Sequence, residues 1–286
     1  MTSSLLRSDI RYPRLLAEIS GAPAQIFYRG EWRADLFERC LAVVGSRRMT
    51  RYGRQMTDEI VSRVAAAGIT IVSGFMYGVD ATAHRAALKG GGRTIAVMPC
   101  GIDLVHPEHQ EDLHGEIMRQ GGLIISEFAG TFAPTLWTYP KRNRIVAGLC
   151  QATLVVEAGL RSGSLITARH AMRFGRILCA VPGNSTSPTS EGTNLLLKEG
   201  ARFVTNAGDV LELFGVARKD GGVRGGAGSA FSATEEQILD ALRQEPCSTD
   251  DLALRLSLSA AQVGSALSML QIAGCVEEEE GRYYAV

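Results

Sequence analysis

Residues 41–53 read LAVVGSRRMTRYG: a short apolar run, a glycine, a cation-rich loop, and then a helical pattern near 53–67. Valine and leucine without alternation mark a strand buried on both faces, which needs helices above and below it. The same unit recurs downstream. ITIVS (69–73) precedes a helical pattern at 79–89, RTIAVM (93–98) one at 109–119, and GLIIS (122–126) one near 143–149. ATLVVE (152–157) precedes a helix from about 164–174, RILCAV (176–181) one near 191–199, and a last strand falls around 201–204. Strict strand-then-helix order predicts a mostly parallel sheet, and so an α/β, doubly wound, extended Rossmann-like domain.

The 286 residues carry 30 Lys+Arg and 30 Asp+Glu, but the two signs are not mixed evenly. Up to Gly228 there are 27 cations against 20 carboxylates; from Ser229 on there are 3 against 10. A basic body with an acidic tail predicts a polyanionic partner for the first part only. No uncharged apolar run reaches 18 residues, and MTSSLLRSDIRYPRLL lacks the apolar core and cleavage site of a secretory signal. A cytoplasmic location without membrane attachment is therefore expected. The six cysteines lie at least 28 residues apart with no C-x-x-C pair, so they read as reduced core thiols.

GVARKDGGVRGGAGSA (215–230) holds six glycines in sixteen residues and no apolar period, as a linker does. It separates a domain at 41–214 from a tail at 231–286. FSATEEQILDALRQ (231–244), STDDLALRLS (248–257) and SAAQVGSALSMLQIAG (259–274) are helical patterns, the last two opening with capping boxes, and CVEEEEGRYYAV follows as a hairpin. This is the order of a winged helix. Its third helix contains no Lys or Arg and its wing carries four consecutive Glu, so protein contact is expected in place of duplex reading.

In doubly wound sheets ligands bind beyond the carboxyl ends of the strands. Ser46, Arg47 and Arg48 follow the first strand, Ser73 and Gly74 the second, and Ser162, Gly163, Ser164 and Thr167 open the helix after ATLVVE. Glycines and small hydroxyls at helix N-termini expose N–H groups to an anion, although the same glycines also serve tight turns. YPKRNR (139–144) is expected at this edge, ahead of a short helix, with Lys141, Arg142 and Arg144 facing phosphates. Phe75, Tyr77, Trp137 and Tyr139 flank these cations as base-stacking candidates. Cations interleaved with aromatic faces suit an unpaired strand.

Other chemistries find less support. No G-x-G-x-x-G with a following acidic residue, no G-x-x-x-x-G-K-[ST] and no G-x-S-x-G occurs, and HPEHQEDLH (106–114) matches no zinc template, so no metal or cofactor is expected. Asp80 and His84, one helical turn apart, read as a structural hydrogen bond or an acid–base pair. The alternative function is a nucleotide or phosphoribosyl hydrolase in the same crevice, for which Glu157 and Asp80 are the candidate carboxylates.

Taken in order, VVGSRRMTRYG, SGFMYGVDATAHRAAL, GGRTIAVMPCGID, LIISEF, YPKRNRIVAGL, VVEAGLRSGSLITARHA, VPGN and GTNLLLKEGA resemble the DNA-processing protein A family (DprA, also called Smf). The resemblance implies a single-stranded DNA-binding recombination mediator that protects incoming strands and loads RecA recombinase during natural transformation. It implies a homodimer, with no catalysis and no cofactor. The family's G-[ST]-R motif falls on Gly45-Ser46-Arg47, and its R-N-R segment on Arg142-Asn143-Arg144 with Lys141 beside it. FMY (75–77) replaces the family's more usual Leu-Ala-Arg. Residues 1–40 would be an N-terminal extension, the remnant of a helical domain that many members carry. LLLKEGARFV (195–204) is a candidate dimer surface, and equally a buried helix.

Overall fold

Each of the seven runs contains a strand; the first six lose both faces to their neighbours, while the last is a two-residue edge strand with both residues exposed. The computed structural model describes residues 3–216, 231–279 and 281–285. It opens with β1 (Ser3–Leu6), α1 (Arg14–Ala17) and β2 (Gln25–Gly30), followed by β3 (Cys40–Val44), α2 (Arg51–Ala66), β4 (Thr70–Ser73) and α3 (Val79–Lys89). β5 (Thr94–Gly101), α4 (Glu111–Arg119), β6 (Leu123–Phe128), α5 (Thr138–Gly148) and β7 (Ala152–Val155) come next. α6 (Ser164–Arg173), β8 (Ile177–Ala180), α7 (Glu191–Lys198), β9 (Arg202–Phe203) and α8 (Ala207–Leu213) complete the first unit.

The sheet order is β1-β2-β6-β5-β4-β3-β7-β8-β9. β3 to β9 run parallel, so the winding reverses between β3 and β7, the topological switch point. β2 pairs antiparallel with β6 and β1 with β2. Residues 1–40, expected as the remnant of a helical domain, thus supply two strands to the same sheet. These strands escape sequence reading because β1 buries only Leu5, and the polar residues beside it hide the period. Leu5 stands opposite Ile26, and Ile26 belongs to the core that Leu16, Val146 and Leu149 form on one face of the sheet.

On the other face α2 and α3 pack closely. Nine of the eleven residues of α3 are buried, among them His84. Its Nδ1 lies 2.7 Å from Thr94 Oγ1, which itself donates to the Ile71 carbonyl at 2.8 Å. His84 therefore carries its proton on Nδ1 and leaves Nε2 bare and unpartnered. Neither reading of Asp80 and His84 as partners holds: His84 bonds Thr94, and Asp80 accepts from Met76 N. Burial, with the nearby Arg142 and Arg85, holds the His84 pKa down at about 3.

The second unit forms its own core. α9 (Ala233–Gln244), α10 (Thr249–Leu256) and α11 (Ala260–Ile272) enclose Ile238, Leu242, Leu252, Val263, Leu267 and Leu270. β10 (Val276–Glu279) and β11 (Arg282–Ala285) make the hairpin, giving a winged helix. Capping boxes start all three helices, Ser232 with Glu235 joining the two expected at Ser248 and Ser259. From residue 217 onward the Gly-rich stretch at 215–230 lies outside the described residues. Among those described, no helix is long and apolar enough to cross a membrane.

Ile26→Ala should lower the stability of the whole first unit by about 2–5 kcal/mol in urea unfolding, as expected for a core side chain and not for a detachable extension. Acidification offers a second check. With the folded pKa of His84 below its unfolded value, the unfolded chain takes up a proton near pH 6.5 that the native chain refuses until about pH 3. Stability present above pH 6.5 is then lost as pH falls, by roughly 2 kcal/mol at pH 5 from this group. Asp80, whose carboxyl burial pushes up, opposes the trend at lower pH. Urea titrations at pH 7 and pH 5 should show that difference between the wild type and His84→Asn.

Candidate nucleic-acid interface

A cleft of about 790 Å³ opens at the switch point. Its walls come from the β3–α2 loop (45–48), the β4–α3 loop (Gly74, Met76) and Asp80 in the first turn of α3, the first turns of α5, and the β7–α6 loop with Ser164 at the start of α6. The β3–α2 loop is held hard against its neighbours. Ser46 N donates to the Glu157 carbonyl at 2.7 Å and Val79 N to the Ser46 carbonyl at 3.2 Å. Gly78, at φ 75°, has no room for a Cβ beside that carbonyl. The Glu157 carboxylate accepts from Thr50 N at 2.8 Å and Thr50 Oγ1 at 2.6 Å, fixing the start of α2. With its backbone fixed, the loop directs Arg47 and Arg48 to solvent, and the Arg47 guanidinium lies over the Tyr139 ring, 5.1 Å from its centroid.

YPKRNR does not precede a helix; it is the helix. α5 begins at Thr138, and Pro140 sits in its first turn, where an amide N–H has no helical partner to lose. Helical spacing then sends the cations in different directions. Arg142 turns inward, is 4% exposed, and donates to the Gly74 and Val97 carbonyls. It lines the floor of the cleft with its donors already engaged by backbone. Burial lowers its pKa to about 10, with Asp80 opposing the shift. Gly74 is required here, since a Cβ would stand 2.5–2.6 Å from the guanidinium.

Lys141 and Arg144 share the next face and both reach Glu127, at 3.3 and 2.6 Å. Arg144 also donates to the carbonyls of Gly21 and Lys141, and its side chain is only 13% exposed, so it fastens the N-terminal segment and is no free phosphate contact. Asn143 donates to the Gly163 carbonyl at 3.3 Å and joins α5 to the opposite wall. On that wall Ser162 and Ser164 bond each other at 2.7 Å, while Thr167 is buried behind them.

Two further expectations are corrected. Ser73 is buried and donates to the Val43 carbonyl at 2.6 Å, so it meets no ligand. Phe75 is fully buried: a left-handed backbone, φ 60°, turns its ring into the core beside His84 and His114. It stacks on no base. Tyr77 is exposed but outside the cleft lining, its hydroxyl 3.4 Å from the Glu108 carbonyl. Trp137 is exposed beside the cleft, and Tyr139 alone of the four aromatics lines it. Arg161 lines the cleft as well and went unread, though it stands directly before the hydroxyl pair in RSGS.

Both candidate carboxylates are buried and accept hydrogen bonds from the chain itself. Glu157 is 2% exposed, with Thr50 and Thr189 on its oxygens, and it lines a separate cavity of about 480 Å³ beside Tyr52 and Asn184. Asp80 is buried and accepts from Met76 N at 3.3 Å.

The family description DNA recombination-mediator protein A matches residues 3–215, and the DprA winged helix domain matches residues 227–282. The chain belongs to this family. Its domain includes β1 and β2, since the match begins at residue 3. Protein Smf of Escherichia coli is 42% identical over 201 residues, covering 70% of this chain and 54% of that protein, so the chain spans about half the length of that relative. DNA processing protein DprA of Streptococcus pneumoniae is 40% identical over 206 residues, 72% of each chain. The X-ray structure of that protein superposes with a TM-score of 0.68 over 73% of each chain. A DprA structure from Helicobacter pylori, described for its single-stranded DNA binding mode, gives 0.67 at 31% identity, covering 75% of this chain and 95% of that one.

The two cations on one face of α5 should separate by their burial. Arg144→Ala removes the nearer of the two cations on Glu127 and the bonds to the Gly21 and Lys141 carbonyls, and should cost about 1–3 kcal/mol in urea unfolding. Lys141→Ala, more exposed, should cost less than about 1 kcal/mol.

Proposed function

We propose that the cleft at the switch point binds single-stranded DNA, and that the chain is a recombination mediator that protects incoming strands and hands them to RecA recombinase during natural transformation. One observation carries this reading. Arg47, Arg48 and Arg161 are exposed around a single cleft, and none has a carboxylate partner among the described residues. Their convergence on one cleft, at the switch point where such sheets bind ligands, makes these three the cations placed for phosphates. The hydroxyls of Ser162 and Ser164 line the same cleft and can donate, and Tyr139 gives an aromatic face. The Helicobacter pylori relative, with its single-stranded DNA binding mode, supports the same use of the fold.

The mediator role calls for no catalysis and no cofactor, and it belongs in the cytoplasm where incoming strands meet RecA. A homodimer fits the edge at β9. There Leu196 is buried, whereas Leu195 and Phe203 are 41% and 62% exposed. In the winged helix, α11 carries no cation and exposes Met269 and Ile272, which suits a protein partner.

Anisotropy titrations of labelled oligo-dT at two salt concentrations test the cleft, with duplex DNA as competitor. The wild type should prefer the single strand and bind more weakly as salt rises. Arg47→Ala with Arg161→Ala should weaken binding and flatten the plot of log affinity against log salt by about 1.4, at roughly 0.7 per phosphate contact. Unchanged affinity and slope in a folded double variant would exclude this cleft as the DNA site.

A further inference from the structure

Beside the cleft lies a group of rings that the core does not use. Phe128 and Phe132 stack with centroids 4.7 Å apart and planes 14° apart, and Trp137 stands edge-on to both, at 5.9 and 6.3 Å. Phe132 is 40% exposed, Trp137 53% and the adjoining Leu136 92%. Aromatic surface left in water opposes folding unless something covers it.

These rings are held still. The Phe132 carbonyl accepts from Gly101 N at 2.8 Å, the Phe128 carbonyl from Ile102 N at 3.0 Å and the Gly130 carbonyl from Asp103 N at 2.9 Å. The loop 128–132 is thereby laced to the end of β5. Gly101 makes the lacing possible, because a Cβ there would meet Phe132 N at 2.5 Å. On the other side, Lys141 Nζ lies 5.2 Å from the Phe128 centroid and 5.5 Å from that of Trp137, tethered by Glu127. An ordered aromatic surface with a cation over it is preorganised for planar rings joined by phosphates.

We propose that Phe128, Phe132 and Trp137 form a stacking platform for the bases of a single strand as it leaves the cleft. This rests on the single-stranded DNA reading and extends its footprint. Continuity favours that occupant: Leu136 and Tyr139, on either side of Trp137 in the chain, both line the cleft. The platform offers ring faces and no hydrogen-bonding code, so it accepts any base.

The chain has two tryptophans, which makes the test direct. Trp32 is packed between Tyr28 and Phe37 and bonded to the Arg11 carbonyl, so a Trp32→Phe background leaves Trp137 as the reporter. Oligo-dT of about 16 nucleotides should quench its emission, and one of about 4 nucleotides, filling the cleft alone, should not. Phe132→Leu and Trp137→Leu should each weaken binding of the long oligonucleotide roughly 5- to 150-fold, with the salt slope and the short oligonucleotide unaffected. Absent quenching and unchanged long-oligonucleotide affinity, with Arg47→Ala/Arg161→Ala still impaired, would overturn the platform and leave the cleft standing. Equal weakening at both lengths would also overturn it, since the rings would then shape the cleft. Full binding by the arginine double variant would remove the single-strand reading and the platform with it.

Discussion

The site depends on one buried charge. The Arg142 guanidinium, 4% exposed, donates to the carbonyls of Gly74, just beyond β4, and Val97, within the neighbouring β5, and it lies near Asp80. A cation removed from water persists only where acceptors and an opposite charge replace the lost hydration. The β4–β5 pairing ends at Ser73 and Ala96, and the carbonyls of the next residue on each strand, Gly74 and Val97, supply the acceptors. In return, the arginine fixes α5 against the sheet edge, so the fold and the cleft wall are set by the same contact.

Much else follows from that anchoring. Once Arg142 points inward, helical geometry places Lys141 and Arg144 on a common face over Glu127 and turns Asn143 towards Gly163. Glu157 does a comparable job across the switch point, where its carboxylate takes the amide and hydroxyl of Thr50 and so orients the loop that carries Arg47 and Arg48. The two carboxylates that chemistry might have recruited, Glu157 and Asp80, hold backbone in place. Around the cleft, burial separates Arg142 and Arg144, which brace the fold, from Arg47, Arg48 and Arg161, which stay exposed.

The six central parallel strands were legible because a buried parallel strand needs an unbroken apolar run, and the runs at 41–45 and 152–157 meet at the switch point in the structure. The hydroxyls and glycines at 45–46 and 162–164 were legible for a related reason, since helix N-termini demand them. β1 and β2 were not. Each presents one face to solvent over a few residues, and Leu5 gains its meaning only when it meets Ile26. Arg161 was passed over because a single cation before a turn looks like any surface arginine.

Composition and periodicity alone determined the winding of the sheet, the split into a basic body and an acidic winged helix, and the edge at which a polyanion could sit. These depend on local patterns that the sequence states outright. Which cations face that polyanion was decided in three dimensions. YPKRNR reads as three equivalent charges, yet a turn of about 100° per residue on α5 assigns one to the core, one to a salt bridge binding the N-terminal strands, and one to a surface of aromatic rings. A side chain's charge is written in the sequence; whether water can reach it depends on which way its backbone turns and on what packs against it.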